Sequence, residues 1–217
     1  MSTKSRPAGR ITEIRDQVRD PERVSLFVEG DFCLGLPKRV LLDEGLRVGQ
    51  VLTEEDVDRL AALDAVSRAK ESAVRLLGVR PRSRRELEDR LARKGFDETT
   101  ISIAIERMEE LGYVDDEDFA RFWIENRVRN RPRGKRLMAS ELRNKGVSKS
   151  AIDSALAETE IDEVADAINL ARRRSSQLSG LDRTAWRRRM TGYLQRRGFG
   201  WDAIKSALAT VEQETDE

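Results

Sequence analysis

The chain contains the segment Leu91-Ala92-Arg93-Lys94-Gly95-Phe96, and the same pattern of residue types returns twice further along. It recurs as Leu142-Arg143-Asn144-Lys145-Gly146-Val147 and as Leu194-Gln195-Arg196-Arg197-Gly198-Phe199. The three glycines lie 51 and 52 residues apart, so the copies are evenly spaced. A fixed period of about 50 residues indicates a tandem array of similar structural units.

Each copy has the features of a helix end. A leucine lies four residues before the glycine, and a second apolar residue lies eight before it, which is the spacing of one helix face. Glycine tolerates the left-handed backbone that commonly follows a helix, and the apolar residue after the glycine can then touch the leucine. The pattern therefore predicts helix ends at Gly95, Gly146 and Gly198, with Leu91, Leu142 and Leu194 as their apolar partners.

Helices are predicted on both sides of each of these ends. Apolar residues six, nine and ten positions after each glycine form a further helix face, and helical stretches precede each copy at about 54–77, 116–129 and 162–175. Each repeat then has three helices, and a unit of about 50 residues must stack on neighbours to complete its core. We expect a mainly α protein, built as an elongated, curved array of tandem three-helix repeats.

The N-terminal part of the chain has a different pattern. Residues 11–17, 24–29 and 32–36 are short runs rich in apolar and β-branched residues, which is typical of strands. Gly30-Asp31 is the expected hairpin turn between the last two runs. We therefore expect a small β-containing segment with a hairpin before the helices begin.

These patterns divide the chain into six parts. We expect a disordered N-terminus at 1–10, the β-containing segment at 11–52, and an acidic tail at 212–217. Between them lie repeat 1 at 53–114, repeat 2 at 115–160 and repeat 3 at 161–211.

Composition excludes several classes of protein. The single cysteine, Cys33, cannot form an internal disulfide, and neither a signal peptide nor a membrane-spanning apolar run is apparent, which predicts a cytoplasmic protein. The absence of histidine removes the common catalytic triads and the histidine-based zinc sites. No other catalytic constellation stands out, so we expect a protein without enzymatic activity, cofactor or metal.

Two motifs could suggest ligands but have simpler explanations. Consecutive acidic residues at Asp115–Asp118 point around a helix rather than converging on Mg²⁺, so helix capping is favoured. Gly134-Lys135 lacks the earlier glycine and the following Ser or Thr of a phosphate-binding P-loop.

Charges are strongly segregated, although the net charge is only +1. Residues 121–149 carry ten basic residues against two acids, residues 172–197 carry nine against one, and residues 97–118 carry nine acids against one arginine. Such polarity suits a partner that combines protein and nucleic acid, while the alternative is a set of solvated helix faces with internal ion pairs. The candidate binding residues are Arg127, Arg129, Arg131, Arg133, Lys135, Arg136, Lys145, Arg172, Arg187 and Arg188.

The placement of these residues allows a finer expectation. Arg133, Lys135 and Arg136 flank Pro132 in a connection, where we expect side chains to be free of core packing. The consecutive Arg187, Arg188 and Arg189 instead fan around a helix.

Aromatic residues lie near the basic clusters and could stack on unpaired bases. Their helical spacing favours the core instead, which is the interpretation we adopt. The residues concerned are Phe119, Phe122, Trp123, Trp186, Tyr193 and Trp201.

The segment Leu111-Gly112-Tyr113-Val114-Asp115-Asp116-Glu117-Asp118-Phe119-Ala120, followed by Arg133-Gly134 and Leu142–Val147, resembles the central motif of the RecX family. The likeness covers about residues 65–211. It implies a monomeric array of three-helix repeats that lodges in the groove of the RecA filament on single-stranded or duplex DNA, binds DNA weakly alone, and inhibits recombination during DNA repair and the SOS response. A DNA-binding regulator that uses a helix-turn-helix-like three-helix module is the alternative.

Overall fold

The computed structural model describes residues 7–216 of the chain. Four strands and ten α-helices occur within these residues. The strands are β1 (Gly9–Gln17), β2 (Asp20–Val28), β3 (Asp31–Pro37) and β4 (Val51–Leu52). The helices are α1 (Lys38–Asp43), α2 (Glu54–Leu77), α3 (Arg84–Ala92), α4 (Glu98–Glu110), α5 (Asp116–Asn130), α6 (Lys135–Asn144), α7 (Lys149–Glu158), α8 (Glu163–Ser175), α9 (Arg183–Arg196) and α10 (Trp201–Asp216).

The predicted fold class is confirmed, because three sets of three helices follow a small antiparallel sheet. The chain forms two compact units. The first comprises the described part of Met1–Arg80 with Leu87–Tyr113, and the second comprises Pro81–Glu86 with the described part of Val114–Glu217.

The sheet in the first unit has the strand order β3-β2-β1-β4, with every pair antiparallel. Glu29 and Gly30 both adopt positive φ angles, 50° and 88°, and form the two-residue turn between β2 and β3. Positive φ at both central residues is the geometry that suits the twist of a tight hairpin. The expected turn at Gly30-Asp31 is therefore wrong by one residue, because Asp31 already belongs to β3.

One face of this sheet is buried against the start of α2. Val24, Leu26 and Leu36 are at most 2% exposed and share a cluster with Leu60 of α2. Cys33 lies in the same cluster, where its side chain is buried. The short helix α1 was not predicted, because its six residues are too few to show a helical period.

The repeated glycines end their helices in the same way. Gly95, Gly146 and Gly198 have φ angles of 89°, 85° and 84°. Phe96, Val147 and Phe199 donate their backbone N–H groups to the carbonyl oxygens of Leu91, Leu142 and Leu194 over 3.4, 3.1 and 3.3 Å. This is the Schellman arrangement that the sequence pattern predicts.

Side-chain caps define the other ends of many helices. Thr53 and Asp56 form a reciprocal capping box at α2, and Asp97 accepts a bond from the Thr100 backbone at α4. Asp115 accepts bonds from the backbones of Glu117 and Asp118 at α5. The Asp115–Asp118 cluster thus begins a helix, as the capping interpretation predicts.

The second and third repeats each enclose an apolar cluster. Phe119, Ile124 and Met138 belong to the cluster of the second repeat, and Met190, Leu194 and Phe199 belong to that of the third. Helices α5 and α7 are in contact in one repeat, and α8 and α10 in the other.

Regular elements extend close to both ends of the described chain. Strand β1 begins at Gly9, and α10 continues to Asp216, so residues 9–10 and most of the expected tail at 212–217 belong to regular elements. The remaining expectation of disorder at 1–6, and residue 217 of the tail, lie outside the described residues. No helix within 7–216 has the length and apolar character to cross a membrane.

Candidate nucleic-acid interface

Four basic residues of the second unit, Arg133, Arg136, Arg196 and Arg197, lie at a junction between the start of α6 and the end of α9. Gly134, which precedes α6, donates its backbone N–H to the carbonyl oxygen of Arg197 over 2.9 Å. A Cβ at Gly134 would lie 2.1 Å from the Gly198 carbonyl oxygen, and one at Gly198 would lie 2.2 Å from Leu137 Cβ. Only glycine therefore allows the two chain segments to approach this closely.

An equivalent junction occurs one repeat earlier, at the start of α3. Ser83 donates its hydroxyl to the carbonyl oxygen of Lys145 over 2.7 Å, where Gly134 instead donates its backbone N–H to the carbonyl oxygen of Arg197. The first backbone N–H of α3, at Arg84, bonds to Asp116 Oδ1 over 2.9 Å.

The corresponding amide of α6, at Lys135, bonds to Glu163 Oε1 over 2.7 Å. Each of these two helices thus begins against a carboxylate at the start of the following repeat, where negative charge suits the helix dipole.

Glu141 on α6 binds two of the candidate arginines. Its Oε2 atom accepts bonds from Arg127 Nε and Trp123 Nε1, both over 2.9 Å, and its Oε1 atom forms an ion pair with Arg133. The Arg127 guanidinium also lies 4.3 Å from the centre of the Trp123 ring. These arginines are therefore part of a half-buried network, and the expectation that Arg133 is free of packing is wrong.

Burial changes the proton affinity of both guanidinium groups. It lowers the pKa of Arg127. It also lowers the pKa of Arg133, with a further contribution from the positive charges of Arg127, Arg197 and Arg131. The second effect shows that positive charge converges at the end of α5 and the start of α6.

Lys145 is also held inside the second unit. Its Nζ atom lies 2.5 Å from Glu86 Oε1 and 4.2 Å from the centre of the Trp123 ring. The Lys145 side chain is only 19% exposed. Lys145 thus pairs with an internal carboxylate rather than facing solvent.

Two candidates in the third repeat have partners near the C-terminus. Arg172 forms a two-pronged contact with Glu214, with Nε 3.0 Å from Oε2 and Nη2 2.5 Å from Oε1. Arg187 and Arg183 both bind Glu212 Oε2 over 3.1 Å. These pairs link α8 and α9 to α10.

The remaining five candidates form no ion pair within residues 7–216. Arg129, Arg131, Arg136 and Arg188 are exposed, and Lys135 is half-buried. The structure therefore separates the ten candidates into five that form ion pairs with acidic residues of the same unit and five whose charges have no counter-ion in the described chain.

Sequence reasoning did not select Arg196 and Arg197, which end α9 at the junction. Neither forms an ion pair in the described residues, and the Arg197 guanidinium lies 4.7 Å from the centre of the Tyr193 ring. The signal was present in the sequence, because Arg197 occupies the position of Lys145 in the repeat.

The aromatic residues are divided between core and surface. Phe119 is buried, and Trp123, Trp186 and Tyr193 are partly buried, as predicted. Phe122 is 39% exposed and Trp201 is 59% exposed, so the prediction of core packing is wrong for these two. Both lie on the outward side of their helices, which the spacing alone did not reveal.

The described residues offer no evident metal site. Among them, no group of three or more aspartates, glutamates and cysteines is placed to hold an ion. The chemistry available on this surface is therefore hydrogen bonding and charge, supplied mainly by guanidinium groups.

Comparisons with known proteins agree with this architecture. Family models described as the first, second and third three-helix domains of RecX match residues 69–108, 115–156 and 160–208. Together the matches cover more than half of the chain, and each includes one of the three glycine-ended helices.

Curated relatives carry the name regulatory protein RecX. One from Mycolicibacterium smegmatis is 39% identical over 161 residues, which are 67% of this chain and 82% of the relative. One from Clostridium botulinum strain Eklund 17B is 26% identical over 202 residues, 92% of this chain and 94% of the relative. A crystal structure of regulatory protein RecX has a TM-score of 0.75 at 18% identity and covers 92% of this chain and 98% of its own.

Proposed function

Because the chain belongs to the RecX family of regulatory proteins, we propose that it regulates the RecA recombinase by binding the RecA filament on DNA. Bound there, it limits the ATPase and strand-exchange activities of the filament. The observation that carries this proposal is the succession of three matched RecX domains in one chain.

The distribution of charge supports a partner that is a protein-DNA complex. Helix α4 and the start of α5 are acidic, whereas the end of α5, α6 and α9 are basic. Acidic surface can bind basic protein groups, while guanidinium groups bind phosphates in two-pronged contacts. A protein that contacts both components can distinguish a filament from bare DNA.

We assign the DNA contacts to the exposed arginines without internal partners. These are Arg129, Arg131, Arg136 and Arg188, with Lys135 beside them. Arg127, Arg133, Lys145, Arg172 and Arg187 support the surface from their ion pairs. In this proposal the repeats keep the boundaries 53–114, 115–160 and 161–211.

The proposed role is non-enzymatic and cytoplasmic. The absence of histidine supports the first part, because the side chain best suited to proton transfer near neutral pH is missing. RecA acts on chromosomal DNA, so a regulator of RecA must reach the same compartment.

The test is the rate of DNA-dependent ATP hydrolysis by RecA in the presence of this protein. We expect inhibition when the protein is substoichiometric to RecA, because one molecule bound to a filament affects many subunits. Inhibition only at excess over DNA sites, and equal to that of an unrelated single-strand-binding protein, would indicate competition for DNA and contradict the proposal.

The helix-turn-helix alternative predicts a different result. A direct operator-binding regulator holds a specific duplex tightly without RecA and leaves RecA's ATPase unchanged. Measuring duplex binding beside the ATPase assay separates the two functions.

A further inference from the structure

We propose that a groove between α6 and α9, lined by Arg133, Arg136, Arg196 and Arg197, binds the phosphate groups of single-stranded DNA. This inference rests on the proposed function and assigns one DNA contact to a specific place. Leu137 lines both parts of the groove, together with the arginines.

The groove consists of two adjoining cavities of about 350 and 330 Å³ that share Leu137 and Arg196. Arg136, Ser140 and Gln195 line the first, and Arg133, Tyr193 and Arg197 line the second. Neither lining includes a carboxylate among the described residues. Guanidinium, hydroxyl and amide groups therefore converge on a concave surface without an internal acid, which suits an anion.

The equivalent junction one repeat earlier shows what is missing here. There Lys145 pairs with Glu86 over 2.5 Å. Counted back from the repeated glycines, Arg197 corresponds to Lys145 and Leu137 corresponds to Glu86. Both junctions bond to the carbonyl oxygen of the residue before the repeated glycine, but the second has an apolar residue where the first has the counter-ion.

The cations of the groove also repel one another. The positive charge of Arg197 helps to lower the pKa of Arg133, after burial. Arg133 has Glu141 as a partner, whereas Arg136, Arg196 and Arg197 form no ion pair within residues 7–216. An entering anion relieves this repulsion, and a bound phosphate can accept from more than one guanidinium.

The size of the groove favours a single strand. Two cavities joined past one leucine side chain can accept successive phosphates of one flexible backbone. The phosphates of a duplex lie on a stiff convex cylinder, which follows a recess between two helices less readily than a flexible single strand does.

The first test compares two double variants of the full chain with equal net charge. Arg136→Gln with Arg196→Gln removes two groove cations, and Arg173→Gln with Arg189→Gln removes two exposed arginines outside the groove. Binding of a fluorescein-labelled oligo(dT) is followed by anisotropy across a salt series. We expect the groove variant to bind about tenfold or more weakly than the control, since hydrogen bonds to charged groups contribute strongly. The slope of log Kd against log salt concentration should fall by about 1.4 for this variant, because two phosphate contacts are lost.

The second test introduces an acidic residue at Leu137, the position that corresponds to Glu86 in the earlier junction. Leu137→Glu places a carboxylate in the groove, and Leu137→Gln has nearly the same shape without the charge. We expect the Glu variant to bind oligo(dT) about tenfold more weakly than the Gln variant, because its carboxylate competes with phosphate for the arginines. Melting temperatures of both variants check that the junction remains folded.

The outcomes separate this inference from the proposed function. Equal DNA binding by the two double variants, or by the two Leu137 variants, would contradict phosphate binding in the groove, even if the wild type inhibits RecA. If the groove variant binds oligo(dT) as well as wild type but no longer inhibits RecA, the groove binds protein carboxylates. That result would also contradict the inference that the groove binds DNA phosphates. If the wild type leaves RecA unaffected, the proposed function is contradicted. The anisotropy data still show whether the groove binds single-stranded DNA.

Discussion

Gly134 donates its backbone N–H to the carbonyl oxygen of Arg197, so the start of α6 and the end of α9 are in direct main-chain contact. Gly134 has φ −66° and ψ 152°, a conformation that any residue can adopt. Its lack of a side chain is therefore required by the close approach of the two segments and not by backbone strain.

Replacing Gly134 with alanine tests this contact. The new Cβ would lie 2.1 Å from the Gly198 carbonyl oxygen and 2.4 Å from the Phe199 nitrogen, so the junction must open. We expect a loss of about 2 kcal/mol in the free energy of unfolding, measured with denaturant, which is typical of overpacking. Gly200→Ala is the control, because nothing lies within 4 Å of its Cβ position. Equal stability of the two variants would contradict the contact.

The three helix-ending glycines should differ in sensitivity to alanine. All three have left-handed backbones, which cost an alanine about 1 kcal/mol. A Cβ meets nothing within 4 Å at Gly95, but lies 2.6 Å from Arg85 Cβ at Gly146 and 2.2 Å from Leu137 Cβ at Gly198. We expect losses of about 1, 2 and 3 kcal/mol in that order, because overpacking adds to backbone strain. Equal losses at all three sites would show that packing at the junctions is unimportant.

Glu141→Gln should destabilise the second unit. Glu141 is the shared acceptor of Arg127, Arg133 and Trp123, and its side chain is only 15% exposed. Removing the charge leaves two partly buried guanidinium groups without their counter-ion. We expect a loss of about 2 kcal/mol in the free energy of unfolding, below the value for fully buried pairs because these arginines retain some solvent.

The exposed Glu125 on α5 provides the control for Glu141, since it has no ion pair in the described part of the chain. Glu125→Gln should change the free energy of unfolding by less than about 0.5 kcal/mol. If Glu141→Gln were equally mild, the network would be a solvated surface contact.

The main features of the fold were predictable because they depend on local signals. The left-handed glycine, the apolar residue after it and the leucine before it are all within six residues, so Gly95, Gly146 and Gly198 could be recognised without a structure. The Glu29-Gly30 turn was misplaced because a non-glycine residue with positive φ, Glu29, gives no signal in the sequence.

The candidate site was less predictable, because it depends on contacts between distant residues. The pairs Arg127–Glu141 and Lys145–Glu86 join residues 14 and 59 positions apart, and nothing in a list of charges reveals which are satisfied. Charge clusters therefore indicated a candidate region, but only tertiary structure distinguished paired arginines from exposed ones.

Low pH should weaken the N-terminal cap that Asp97 provides for α4. Hydrogen bonds from the Thr100 backbone and hydroxyl lower the pKa of Asp97 below its ordinary value. This cap therefore stabilises the folded state above the unfolded pKa near 4, and the effect is lost as pH falls through the lower folded pKa. Asp97→Asn should lower the melting temperature at pH 7, with a difference from wild type that narrows below pH 4. A constant difference at all pH values would contradict the shift.

The last prediction separates arginines that bind from arginines that support the fold. Arg129 and Arg131 are exposed at the end of α5, while Arg127 and Arg133 are held by Glu141. Arg129→Gln with Arg131→Gln should therefore weaken inhibition of RecA's ATPase and flatten its salt dependence, at an unchanged melting temperature.

Arg127→Gln with Arg133→Gln has the same change in net charge and serves as the matched comparison. It should lower the melting temperature, because Glu141 loses both arginine partners and the Trp123 ring loses Arg127, and any loss of inhibition beyond the loss of folded protein would report on Arg133 in the groove. Inhibition that survives in the Arg129 and Arg131 variant at full strength would place those two arginines on a solvated face. The proposed DNA contacts would then have to come from Arg188 and from the groove, which includes Arg136.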